Sequence, residues 1–146
     1  MSGINEQIKM TGHLKIYKNN ELIRDVDNLV VTAGKGYVAN RMKSDVSGGT
    51  AIMSHMAIGS GTTNPAAGDT APETQLARVA LTSTGISGAV LTYTATFGAG
   101  TGTGAVTEAA ILNASSGGTM LCRTEFSVVN KGSADSMTIT WTVTVS

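Results

Sequence analysis

The chain has 146 residues, the length of one domain, and its Lys+Arg 10 and Asp+Glu 10 cancel to a formal net charge of +0. Charged residues make up 14% and aromatics 4%, against about 25% charged in an average soluble chain. That balance excludes the basic patch of a nucleic-acid binder and the aromatic platforms of single-strand and many sugar binders.

Residues 1–12 form an N-terminal arm ahead of a single domain spanning 13–146. The arm has no strand or helix period and no signal-peptide hydrophobic core. Its Ile4, Gln7, Ile8 and Met10 suit a segment that orders against a partner, and a frayed terminus is the plain alternative. No apolar run approaches the roughly 18 residues that span a membrane, so the expectation is a soluble, unsecreted chain.

From His13 onward, period-two alternation predicts an antiparallel all-β fold of about eight strands. His13–Lys18 and Glu21–Val26 flank Asn19-Asn20, residues that tolerate the positive φ of a tight hairpin turn. Asp25-Val26-Asp27-Asn28 then reads as turn chemistry leaving that hairpin. Thr32 is a candidate cap for one short helix over Ala33–Lys43, weakened by Gly34 and Gly36 at about 1 kcal/mol each.

Further strands are predicted at Ile52–Ile58, Arg78–Ser83, Leu91–Phe97, Ala105–Leu112, Thr119–Val129 and Ser136–Val145. Gly59–Pro72 reads as a long loop, with a short helical turn over Glu73–Leu76, and Gly85–Gly88 as a turn between strands. The last strand sets Met137, Ile139, Trp141 and Val143 against Thr138, Thr140, Thr142 and Thr144. With 21 Thr in the chain, the outward faces are expected to be neutral hydroxyl surface. The architecture expected is an antiparallel β-sandwich, jelly-roll-like, burying the faces of Trp141, Phe126, Leu91 and Phe97.

No arrangement of catalytic type is found. The two histidines, His13 and His55, lie on different strands, and no nucleophile elbow surrounds Cys122 or any serine. The lone cysteine makes neither a disulfide nor a thiolate zinc site, and it reads as a buried inert thiol. Gly98–Gly104 leads into a strand, whereas a phosphate cradle leads into a helix. No enzyme activity, metal or cofactor is therefore expected. One polar set stands out: Glu108 lies inside an apolar strand, and Arg78 and Arg123 lie in strands that otherwise read as core. Glu108 either pairs with one of these arginines and holds strand register, or faces solvent at a strand edge.

The order of several blocks carries a resemblance. Asn28–Lys35 precedes the helix, followed by His55–Thr63, Ala66–Thr70, a strand opening at Arg78, and Thr107–Asn113. Gly118–Arg123, Asn130-Lys131 and Thr138–Thr142 close the series. Over roughly Leu14 to Val145 the chain resembles small all-β structural proteins of tailed bacteriophages, departing at Glu108–Leu112, where that family often has Gly and an aromatic. The resemblance implies a virion component without catalytic residues. It would be a capsid decoration (cement) protein or a related module of tail fibres and baseplates.

The function expected is binding and stabilising the major capsid protein lattice as a homotrimer or homodimer, on the capsid surface of virions assembled in the bacterial cytoplasm. Thr62, Thr63 and Asn64 in the long loop join the arm as expected partner-binding residues. The alternatives are a tail-fibre or baseplate module, and a host-surface adhesin that binds glycan through Gly59–Pro72 and Gly98–Gly104.

Overall fold

The computed structural model describes residues 6–42 and 51–146. Among these described residues, nine strands and one helix follow in the order β1 Met10–Lys18, β2 Glu21–Val30, α1 Thr32–Arg41, β3 His55–Gly59, β4 Gln75–Ala80, β5 Ser83–Ser87, β6 Val90–Phe97, β7 Gly104–Leu112, β8 Met120–Lys131 and β9 Met137–Val145. Every strand pairing is antiparallel, so the fold is all-β with a single short helix.

The strands join in one curled sheet of order β4-β3-β7-β8-β2-β1-β9-β6-β5. The curl turns on β2. Its first part pairs with β1 as far as Asn28, and its last residues, Leu29 and Val30, pair with β8. The two halves of the sheet thereby face each other across one core, as the layers of a sandwich do. Leu14, Ile16, Phe97, Ile139 and Trp141 come from one half, and Met56, Ile58, Ile111, Cys122 and Phe126 from the other. Leu91, expected in this core, packs against its margin.

Local chemistry explains the hairpins. Asn19 and Asn20 both have positive φ, at 50° and 69°, as a type I′ turn between Lys18 and Glu21 requires. Gly88, at φ +59°, opens the two-residue turn between Ser87 and Val90. The expected turn at Gly85–Gly88 is therefore shorter: Gly85 to Ser87 belong to β5, which adds the ninth strand. The expected strand Arg78–Ser83 divides between β4 and β5. Gln75 and Leu76 begin β4, so the expected helical turn over Glu73–Leu76 does not form. Asp25 to Asn28 lie inside β2, because His13 pairs opposite Asp27 and holds that segment in the ladder.

The arm boundary also moves. Met10, Thr11 and Gly12 are strand residues paired with Val145, Thr144 and Val143. Lys9 continues that pairing by exchanging backbone hydrogen bonds of 2.6 and 2.8 Å with Ser146. In β8 the expected alternation breaks: a register shift opposite Val106–Glu108 turns Val129 into the core and leaves Val128 exposed.

Helix α1 differs from expectation at both ends. Val31 is the N-cap and no side chain caps the helix, so Thr32 is its first residue rather than its cap. Lys43, the expected C-terminal residue, lies outside the described residues. Gly34 is buried, and a Cβ there would collide with the Leu121 carbonyl, whereas one at Gly36 would enter open space. The glycine that weakens the isolated helix is what lets it lie on β8. No helix among the described residues is long and apolar enough to cross a membrane.

These two glycines should respond oppositely to alanine. Gly36→Ala should raise stability by up to about 1 kcal/mol through helix propensity, and Gly34→Ala should lower it by roughly 1–3 kcal/mol through overpacking. Urea unfolding of the two variants checks this; stabilisation by both would refute the close helix–sheet contact.

Candidate functional site: a loop pinned over the sheet by a buried ion pair

The segment between β3 and β4 crosses the outer face of β3, β7 and β8. A second small core of Val31, Ala57, Ala110, Leu112 and Met120, with Ala33 packed against it, lies on the same face. Glu108 on β7 shares this outer face with Ala110 and is fully buried. It sits opposite Gly59 on β3, so the carboxylate lies directly under the start of the loop.

Three loop amides converge on that carboxylate. Gly61 N–H donates to Oε2 at 2.6 Å, Thr74 N–H to Oε2 at 2.8 Å, and Glu73 N–H to Oε1 at 2.8 Å. The Arg123 guanidinium, 2% exposed, donates Nε–H to Oε1 at 3.1 Å. Arg123 also donates to Asp69 Oδ2 at 3.1 Å and to the Thr63 carbonyl at 3.0 Å. Thr107 adds a hydroxyl bond to the Gly61 carbonyl at 2.6 Å. Both ends and the middle of the loop are thus tied to one buried acid–base pair, whose charges and lone pairs find partners as burial demands.

Gly59 and Gly61 are part of this device. A Cβ on Gly59 would come within 2.8 Å of Glu108 Oε2, and one on Gly61 would come closer still. The Gly-Ser-Gly triplet makes room for a carboxylate from the neighbouring strand. Glu73 lines the exposed rim, where a hydrogen bond with the Thr63 side chain holds its carboxyl below the usual range. Asp69 closes its own turn by accepting from the Ala66 amide at 2.9 Å. The helix joins the loop where Thr32 N–H donates to the Ala67 carbonyl at 2.8 Å.

Of the expected site residues, the structure brings Glu108 and Arg123 together and leaves Arg78 apart. Arg78 donates to Gln75 and to the carbonyls of Ala114 and Gly117, because it lies on β4 beyond β3. Thr62 and Thr63 belong to the pinned loop: the Thr62 amide donates to Glu73 at 3.2 Å and Thr63 receives Arg123. Asn64 is exposed beside them. Ile4 lies outside the described residues. Gln7 and Ile8 are exposed, and Met10 opens β1. Ile8 and Met10 border a groove of about 570 Å³ whose other wall is Val38 and Ala39 of α1 and Met42 just beyond it.

Several polar groups were not anticipated. His13 lies between two carboxylates of β2, with Nδ1 2.7 Å from Asp27 Oδ1 and Nε2 bonded to Asp25. Asn28 accepts the indole N–H of the buried Trp141 at 2.6 Å. Lys131, 1% exposed, donates to the carbonyls of Gly98 and Asp135 at 2.8 and 2.7 Å. Cys122 is buried, and burial pushes its thiol well above the usual range. Among the described residues no group of three or more His, Cys, Asp or Glu is placed to hold a metal ion. Compared with family models, curated proteins and solved structures, the chain matches none.

Removing the carboxylate should unfasten the loop. Glu108→Ala leaves Arg123 buried without its principal partner and should cost about 3–5 kcal/mol, by the behaviour of broken buried pairs. Amide exchange at Gly61, Glu73 and Thr74 should accelerate. A loss below about 1 kcal/mol in urea unfolding would mean that the pair is not the pin.

The His13 cluster makes a separate prediction. Hydrogen bonding to Asp27, reinforced by Asp25, raises the ring above its ordinary 6.5 against an opposing effect of burial. The protonated ring's contribution is therefore whole below that value and fades as pH rises through the folded one. Stability relative to His13→Gln should decline as pH rises from below the ring's ordinary 6.5 to above it; a difference that grows with pH would contradict it.

Proposed function

We propose that this chain is a structural protein of a bacteriophage virion, a capsid decoration protein that binds and stabilises the major capsid protein lattice. The observation that carries the reading is the outward face of β6 and β9. There Thr92, Thr94 and Thr96 lie directly opposite Thr142, Thr140 and Thr138, with Thr96 and Thr138 hydroxyls 3.0 Å apart. Neither strand carries a charged residue.

Such a face suits permanent contact. Short hydroxyl side chains lose little rotamer entropy on burial, and no charge has to be desolvated. Contacts that are weak singly become strong when repeated over a lattice. A protein that binds assembled capsid subunits better than separated ones stabilises the shell by mass action. The resemblance in block order supplies the virion class, and a homotrimer or homodimer on the capsid surface fits both. The pinned loop adds a preformed surface at Thr62–Asn64, which needs little further ordering to bind.

Counting copies in purified virions tests the proposal. Hundreds per particle are expected, and the added protein should saturate undecorated capsids and raise their melting temperature. A handful per particle would move the protein to a tail fibre or baseplate. Absence from virions, with binding of the isolated protein to bacterial polysaccharide, would replace the reading with an adhesin.

A further inference from the structure

We propose that β5 is a self-association edge, on which Ser83–Ser87 pairs antiparallel with the same strand of a second copy about a two-fold axis at Gly85. β5 ends the sheet order, and all of its residues are exposed. Sheet edges are ordinarily blunted by lysine, proline, a bulge or a covering segment. β5 has no charged residue and no proline, and its ladder with β6 runs without a register shift. Beyond its chain neighbours, nothing lies within 4 Å of a Cβ built on Gly85. The opposite end of the sheet differs: β4 carries Arg78, and a Cβ on the adjacent Gly102 would meet Ala77 Cβ at 3.3 Å.

Charge and register both favour a copy of this chain as the occupant. No charged residue occurs between Arg78 and Glu108, so β5 and β6 meet their own copies without like-charge repulsion. In the tight hairpin, Ser87 and Val90 flank the turn. That flanking pair is hydrogen-bonded, and alternation leaves the N–H and C=O of Thr84 and Ile86 pointing off the edge.

A two-fold axis at Gly85 sets Thr84 opposite Ile86 of the second copy and Ile86 opposite its Thr84. The free groups then satisfy one another. The two glycines fall at the closely spaced, non-hydrogen-bonded pair, where no side chain intervenes. Ile86, 73% exposed, stands opposite Leu91. Leu91 lines a groove of about 380 Å³ with Tyr37 and Ile52, so pairing extends an apolar ledge. The contact is small, which places self-association in the micromolar range or weaker. It is independent of the virion reading and needs only the isolated protein.

Sedimentation over a concentration series, together with cysteine crosslinking, tests it. The parent should shift from monomer to dimer at about tens to hundreds of micromolar, and Ile86→Lys should weaken association about tenfold or more at an unchanged melting temperature. Gly85→Cys should form a disulfide-linked dimer on mild oxidation, and Gly98→Cys, also facing open space, should not. Buried Cys122 takes no part.

A parent that stays monomeric, with Gly85→Cys crosslinking no better than Gly98→Cys, would overturn the proposal. So would an Ile86→Lys protein that dimerises as the parent does. Monomers whose Thr84 and Ile86 amides resist exchange would also overturn it, since another part of the chain would then cover the edge. If Ile86→Lys does not fold, the crosslinking comparison decides.

Discussion

The Glu108 carboxylate is the interaction on which the outer face of β3, β7 and β8 depends. It is buried in the middle of a sheet, where an unpaired charge would be very costly. Arg123 and three backbone amides answer it, and those amides belong to the segment from Gly61 to Thr74. The polar requirement of one side chain therefore dictates the path of a loop with no periodic secondary structure of its own. On the same face Ala57, Ala110, Leu112 and Met120 form a second small core with Val31, and Ala33 of α1 packs against it. Buried ion pairs are weak evidence for net stability, and the role of this one is to select a single loop conformation.

With that face closed, the protein's neutral surface lies on the other half of the sheet. The threonine ladder of β6 and β9 and the open edge of β5 are continuous with each other; β5 and β6 lie in the uncharged stretch between Arg78 and Glu108, and β9 carries no charge of its own. Several of the charges that the chain does carry are held at fixed contacts. His13 bridges Asp25 and Asp27, Arg123 bridges Glu108 and Asp69, and Lys18 and Arg24 bond carbonyls of β8. The low charge of the composition is thus concentrated at fixed contacts, and broad hydroxyl surface is left between them.

Much of the β structure was legible because its signals are local. Alternation marked β6 and β9 almost to the residue, and Asn19-Asn20 marked a hairpin through its backbone preference. Glu108 was visible as an acid in an apolar strand. Its surroundings were not legible: the amides of Gly61, Glu73 and Thr74 reach it across 34 to 47 residues, and the intervening Gly, Thr and Ser obey no period. Gly34 looked like a weakness in a helix, because the carbonyl it must clear belongs to Leu121 on a distant strand.

The sequence by itself determined an antiparallel all-β chain with one short helix, neutral outward faces and an acid inside an apolar strand that had either to pair or to face solvent. Those features follow from side-chain alternation, turn preference and the cost of burying charge, which act between near neighbours or on single residues. The tertiary structure alone decided that β2 switches partners at Leu29, that nine strands form one curled sheet, and that Arg123 rather than Arg78 answers Glu108. Each of these depends on which strands lie side by side, and strand order is set by long-range packing that no local pattern encodes.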